Sequence, residues 1–185
     1  MPVYKTSKEE ILKKAAVVFR QKGYFHTSID DLAKACGLKK PHFYYYFKNK
    51  KELMEEVLRY VDRLMDKYIC ELAYDEKYSA AERLQKMLER MMKYYLTGKG
   101  GCIFGNTVLE TANVNEDFKP IVKATFDNWA KAIAHILTDK YSEQEAQKMA
   151  FTIIQDLQGA LVMYQLYGED KHLVVPVERA KALLE

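Results

Sequence analysis

The amino-acid sequence predicts an all-α fold of about nine helices, and three observations lead there. Pro and Gly are scarce, 4 and 8 of 185 residues, which favours long unbroken elements over closely spaced turns. Four segments match or approximate the capping box: Ser7-x-x-Glu10, Asn49-x-x-Glu52, Ser79-x-x-Glu82 and Ser142-x-x-Glu145. In that motif the first side chain accepts from an early backbone N–H and the Glu reaches back to the cap. Each opens an apolar pattern of helical period, and neither strand-like alternation nor an internal repeat is present.

The first helix is expected over about Ser7–Lys22, with Ile11, Leu12, Ala15 and Phe19 among its apolar positions and Gly23 as its stop. Thr27 and Ser28 can cap a short second helix that turns Ile29, Leu32 and Ala33 inward and ends at Gly37. A short third helix covers roughly Lys40–Tyr46, with Pro41 in its first turn, where the missing N–H costs nothing. Asn49 opens a long fourth helix to about Leu72, followed by a loop around Ala73–Tyr78. The fifth helix runs from Ser79 to about Leu96, and Gly98-Lys99-Gly100-Gly101 is the strongest break after it. The sixth is expected over about Phe104–Ala112, the seventh over Asp117–Thr138 and the eighth over Ser142–Tyr167. Pro176 is expected to start a short last helix toward Leu184.

Composition narrows the function. With 49% apolar, 30% charged and 12% aromatic residues the chain is globular rather than disordered. No window approaches the roughly 18 consecutive apolar residues of a membrane span. The start, MPVYKTSKEE, has no apolar core of the signal-peptide kind, so a cytoplasmic protein is expected. Cys36, Cys70 and Cys102 form no CxxC pair and the four histidines are scattered, so neither a disulfide framework, a metal nor a cofactor is expected. There is no Ser/His/Asp constellation, phosphate-binding glycine loop or paired carboxylates, and the chain is not expected to be an enzyme. Charge is uneven. Residues 1–50 hold eleven Lys and Arg against four acids, a net +7, and the remainder carries −4 of the chain's total +3. A basic module on an acidic body points to a polyanionic partner for the module alone.

That module reads short helix, Gly-containing turn, short helix: DDLAKACGLKKPHFYYYF, a helix-turn-helix pattern. Ala33 is small where two helices must cross, and Gly37 permits a left-handed turn. The third helix presents Lys40, His42, Tyr44, Tyr45 and Tyr46 around a Phe43/Phe47 pair that suits the core. Lysines reach phosphates or base edges, and tyrosine hydroxyls reach phosphate oxygens. Asn49 and Lys50 at a helix start would add a phosphate clamp.

SIDDLAKACGLKKPHFYYYFKNKKELMEEVL resembles the DNA-binding domain of the tetracycline-repressor (TetR) family of bacterial transcription regulators. The resemblance extends over about residues 7–60, through Ala15, Phe19, Gly23, Tyr24, Thr27, Ile29, Ala33, Gly37, Leu38, Tyr44, Tyr45, Phe47 and Lys50. It implies DNA contacts at Lys40, Pro41, His42, Tyr44, Tyr45 and Lys50, and Thr27, Ser28 and Lys39 complete the candidate surface. Pro41, His42 and Tyr46 depart from residues common in the family, which leaves the operator sequence open. The expected division is a DNA-binding domain over residues 1–48 and an effector-binding and dimerisation domain over 49–185, linked by the helix at about 49–72.

One such module binds DNA weakly, so a dimer is expected, with recognition helices roughly 34–36 Å apart in successive major grooves. Phe151, Ile154, Leu157 and Leu161 on the eighth helix, with Gly159 allowing close approach, are the candidate interface. The body is rich in Met and aromatic residues, which line adaptable apolar pockets. Candidates for a small, largely apolar effector are Met87, Met91, Tyr95, Phe104, Asn106, Phe126, Trp129 and Tyr164. Cys102 follows a glycine-rich loop and precedes a helix, and some TetR-like regulators of electrophile or oxidant response carry Gly-Cys at this point. A thiol sensor at Cys102 is the alternative to an effector pocket, and a regulator without a small-molecule effector is a third reading. Repression is favoured over activation because a dimer on a promoter blocks polymerase without further parts.

Overall fold

The computed structural model describes residues 7–114 and 116–185. Residues 1–6, most of the stretch read above as lacking an apolar core, lie outside the described residues. The described residues form nine α-helices and no strand: α1 (Lys8–Lys22), α2 (Ile29–Cys36), α3 (Lys40–Tyr46), α4 (Lys50–Tyr68), α5 (Ala80–Leu96), α6 (Ile103–Thr111), α7 (Lys119–Leu137), α8 (Glu143–Tyr167) and α9 (Lys171–Lys181). Among them no helix is long and apolar enough to cross a membrane. The all-α expectation holds.

Local chemistry explains most helix starts. Ser7, Ser79 and Ser142 each accept from the backbone N–H three residues on, and Glu10, Glu82 and Glu145 each close the box. A fourth complete box, Ser28 with Asp31, starts α2. At α4 the motif is shared: Asn49 accepts from the Glu52 N–H at 2.8 Å, while Glu52 reaches past it to the Lys48 N–H at 2.6 Å.

Two helix limits differ from the sequence expectation. α4 ends at Tyr68 and a 3₁₀ turn over Cys70–Tyr74 follows. Carbonyls of both find partners on α5: Arg90 donates to that of Tyr68, at the end of α4, at 2.6 Å and buried Arg83 to that of Ala73, in the turn, at 2.8 Å. α9 starts at Lys171 rather than at Pro176, which lies inside it. Leu173, Pro176 and Ala180 form the buried face of α9, which packs on α8 and α5. That packing outweighs the one backbone bond the proline removes.

Contacts group the chain into two compact units. The first takes the described residues up to Asp62 together with Ile103–Val122, so α6 belongs to the same unit as α1, α2 and α3. α1 packs on α2 and on α6, and α2 packs on α3. Its core includes Ile11, Phe19, Leu32, Phe43, Phe47, Leu53, Phe104 and Phe118. The second unit takes Arg63–Cys102 and Lys123–Glu185. Leu84, Met87, Met91, Tyr95, Trp129, Ile133, Leu157 and Leu161 are among its buried residues. α5 packs there on the 3₁₀ turn and on α9, and α8 packs on α9.

Candidate nucleic-acid interface

α3 sorts its aromatic residues sharply. Phe43 and Phe47 are buried at 0% and 1% exposure, while Tyr44 and Tyr45 stand at 49% and 85%. Lys39, Lys40, Pro41 and His42 are exposed beside them, and Tyr46 is half-buried. Pro41 sits in the first turn and Lys39 at the N-cap, with no side-chain cap bond. α2 sets the angle of this helix through the turn after Cys36. There Gly37, at φ +69°, donates to the carbonyls of Ala33 and Lys34. Lys40 pairs with Asp30 at 3.2 Å on exposed side chains, and exposed Lys22 pairs with half-buried Asp31 at 2.6 Å. The Lys22 ammonium, and then Ser28, hold the Asp31 carboxyl well below the usual carboxylate range.

Two residues of the candidate surface point their polar groups inward. Thr27 is 1% exposed and its hydroxyl donates to the Gly23 carbonyl at 2.6 Å. Lys50 donates to the carbonyls of Tyr24 and Thr27 at 2.8 and 2.9 Å, with its ammonium 4.4 Å from the centre of the Tyr24 ring. Burial lowers the Lys50 pKa, against the pull of Glu110. Ser28 is exposed, with its hydroxyl engaged in the α2 capping box.

Residues 11–57 match the family described as bacterial regulatory proteins, tetR family, and residues 80–175 match the C-terminal domain of LmrA/YxaF-like transcriptional regulators. An uncharacterised HTH-type transcriptional regulator in the lacX 3' region of Lactococcus lactis is 30% identical over 172 residues, covering 90% of this chain and 88% of that protein. The chain belongs to the TetR family. This TetR-family regulator is also 25% identical over 169 residues to the uncharacterised HTH-type regulator YxaF of Bacillus subtilis, covering 89% and 87% of the two chains. A TetR transcriptional regulator from Legionella pneumophila shares the fold at a TM-score of 0.88, with 21% identity over 98% of each chain.

The effector candidates of the TetR-family chain fall in both units. Phe104 and Asn106 lie in the first, where Asn106 donates to the Arg20 carbonyl at 3.5 Å. Met87, Met91, Tyr95, Phe126, Trp129 and Tyr164 lie in the second. Tyr95 and Tyr164 line one cavity of about 410 Å³ with Lys99, Leu161, Gln165 and the glycines of the α5–α6 loop. Met87, Met91 and Trp129 are core, and Phe126 packs edge-on against Trp129 at 5.2 Å. Cys102 is 3% exposed. Tyr95 is fully enclosed, and its phenol pKa is pushed up first by burial and then by Cys102.

Of the five interface candidates, Ile154, Leu157 and Leu161 are buried within the second unit at 6%, 1% and 2% exposure, so they face its core. Phe151 is exposed, and a Cβ at Gly159 would meet nothing within 4 Å. The exposed apolar residues that the periodicity passed over are Val162, Met163, Leu166 and Tyr167 on α8 and Val174 and Val175 on α9. Their signal was present: Phe151, Gly159, Val162 and Leu166 fall on one stripe of a helix.

Proposed function

We propose that this chain is an effector-responsive repressor that binds a palindromic operator as a homodimer. Residues 1–48 serve as the DNA-binding head and 49–185 as the effector-binding and dimerisation body. The observation that carries the DNA part is the sorting of α3, with Phe43 and Phe47 buried while Lys39, Lys40, His42, Tyr44 and Tyr45 are exposed on one short helix. Lys40, Pro41, His42, Tyr44 and Tyr45 enter the major groove, with Ser28 and Lys39 at the phosphates. Lys50 and Thr27 support this surface from behind, since their polar groups are spent on the backbone of residues 23–27.

Self-association is supported by the exposed stripe Phe151–Gly159–Val162–Leu166 with its α9 neighbours Val174 and Val175. A contiguous exposed apolar face of this kind marks a protein–protein contact. A small, largely apolar effector fits the cavity at Tyr95 and Tyr164, where Lys99 and Gln165 supply the polar contacts. The effector acts only through its different affinity for DNA-competent and DNA-incompetent arrangements of the dimer.

The test is footprinting of the purified protein on DNA flanking its own gene, at increasing salt. A protected palindrome, with binding that falls steeply as salt rises, is the expected result. Weak and uniform protection on flanking DNA, together with no duplex enriched from a random-sequence pool, would reject site-specific binding.

A further inference from the structure

We propose that Glu110 is a positioning residue for DNA binding. From α6 it grips the backbone that leads into the helix-turn-helix. Its carboxylate accepts from the Phe25 N–H at 3.1 Å, across 85 residues of sequence. Gly23 makes the approach possible. It lies at φ +78°, and a Cβ there would stand 1.8 Å from Oε1 of Glu110. The segment it holds has one short internal tie, from the Thr27 hydroxyl to the Gly23 carbonyl at 2.6 Å. Between α1 and α2 the Thr27 N–H reaches the Tyr24 carbonyl only at 3.4 Å, and Ser28 then starts α2.

The grip comes from two sides. Lys50 binds the Tyr24 and Thr27 carbonyls on either side of Phe25; burial lowers its pKa, and the charge of Glu110 acts against that shift. What Glu110 fixes is direction rather than burial, because the Phe25 side chain is itself 47% exposed. The direction matters because α2 packs on α3, so the path of residues 23–28 sets how α3 is presented. Glu110 therefore spends its carboxylate on the backbone that leads into α2.

The inference rests on the DNA-binding reading above, and the experiment separates the two. The probe is a duplex enriched by the unaltered protein from a random-sequence pool, with affinity read by fluorescence anisotropy. Glu110→Gln keeps an oxygen that accepts from the same N–H and is expected to bind within about threefold of the unaltered protein. Glu110→Ala removes a charge-assisted bond and is expected to bind about tenfold more weakly or worse, with faster hydrogen exchange at the Phe25 amide and unchanged self-association. Glu110→Asp keeps the charge but falls one methylene short, and is expected to follow Glu110→Ala. The order of Gln over Asp decides the matter even where Ala fails to fold. Full affinity in Glu110→Ala, or Asp binding better than Gln, overturns the proposal. Failure to enrich any duplex would sink the DNA-binding reading instead, and the Phe25 exchange rates would still test the grip.

Discussion

α3 and the C-terminal half of α8 both leave large apolar side chains in solvent, and they differ in what surrounds them. Tyr44 and Tyr45 stand among Lys39, Lys40 and His42. Val162, Met163, Leu166 and Tyr167 stand on a helix whose last 19 residues carry one charge, that of Asp156. Amphipathic rings among cations suit a polyanion with π-faces and methyl groups to touch. A bare aliphatic stripe with a glycine in it suits a surface like itself. Exposure alone does not tell the two apart, and the neighbouring charge does.

The largest expected effect is on the α8 side. Val162→Glu with Leu166→Glu should convert the protein to monomers in sedimentation and lower DNA affinity by roughly 10²-fold or more, the gain that linked modules draw from effective concentration. A dimer that persists would remove the stripe from the interface and break the comparison. Lys40→Ala with Tyr44→Phe should weaken DNA binding by about ten- to a hundredfold while leaving the sedimentation profile unchanged. Loss of the dimer in that variant would contradict the division of labour.

A smaller effect compares two caps. Ser28→Ala and Ser142→Ala each remove a capping-box acceptor and should each lower stability by about 1 kcal/mol in denaturant titration. Only Ser28→Ala should also reduce operator affinity, because α2 orients α3. The smallest effect is pH-dependent. The Asp31 pKa lies below its unfolded value, so its stabilisation is complete above the usual carboxylate pKa of about 4 and lost as pH falls below that. Asp31→Asn should therefore lower the melting temperature at pH 7 and converge with the unaltered protein toward pH 2. A gap that stayed constant with pH would assign the effect to something other than its charge.

Much of the fold was readable because its signals are local. A capping box joins residues three apart, and Ser7, Ser79 and Ser142 start their helices where the motif places them. The Phe43/Phe47 pair reads as core from its four-residue step. Other limits depended on distant partners. Nothing within α4 says that it ends at Tyr68; on α5, Arg90 takes up the Tyr68 carbonyl and Arg83 that of Ala73 in the turn that follows. The α8 face was the harder case. That helix is apolar on two sides, and periodicity cannot tell which side meets its own core. Ile154, Leu157 and Leu161 took the inward side, leaving Phe151, Val162 and Leu166 outside.

Sequence alone determined the helix-turn-helix, its sorting of aromatic residues and the family to which the chain belongs, because each rests on patterns a few residues long. Tertiary structure decided where long side chains spend their charges. Lys50 turned to the carbonyls of Tyr24 and Thr27, and Glu110 reached the Phe25 amide. Both choices are set by which backbone groups no helix or sheet ladder satisfies once the chain is packed, and by which of them distant side chains can reach.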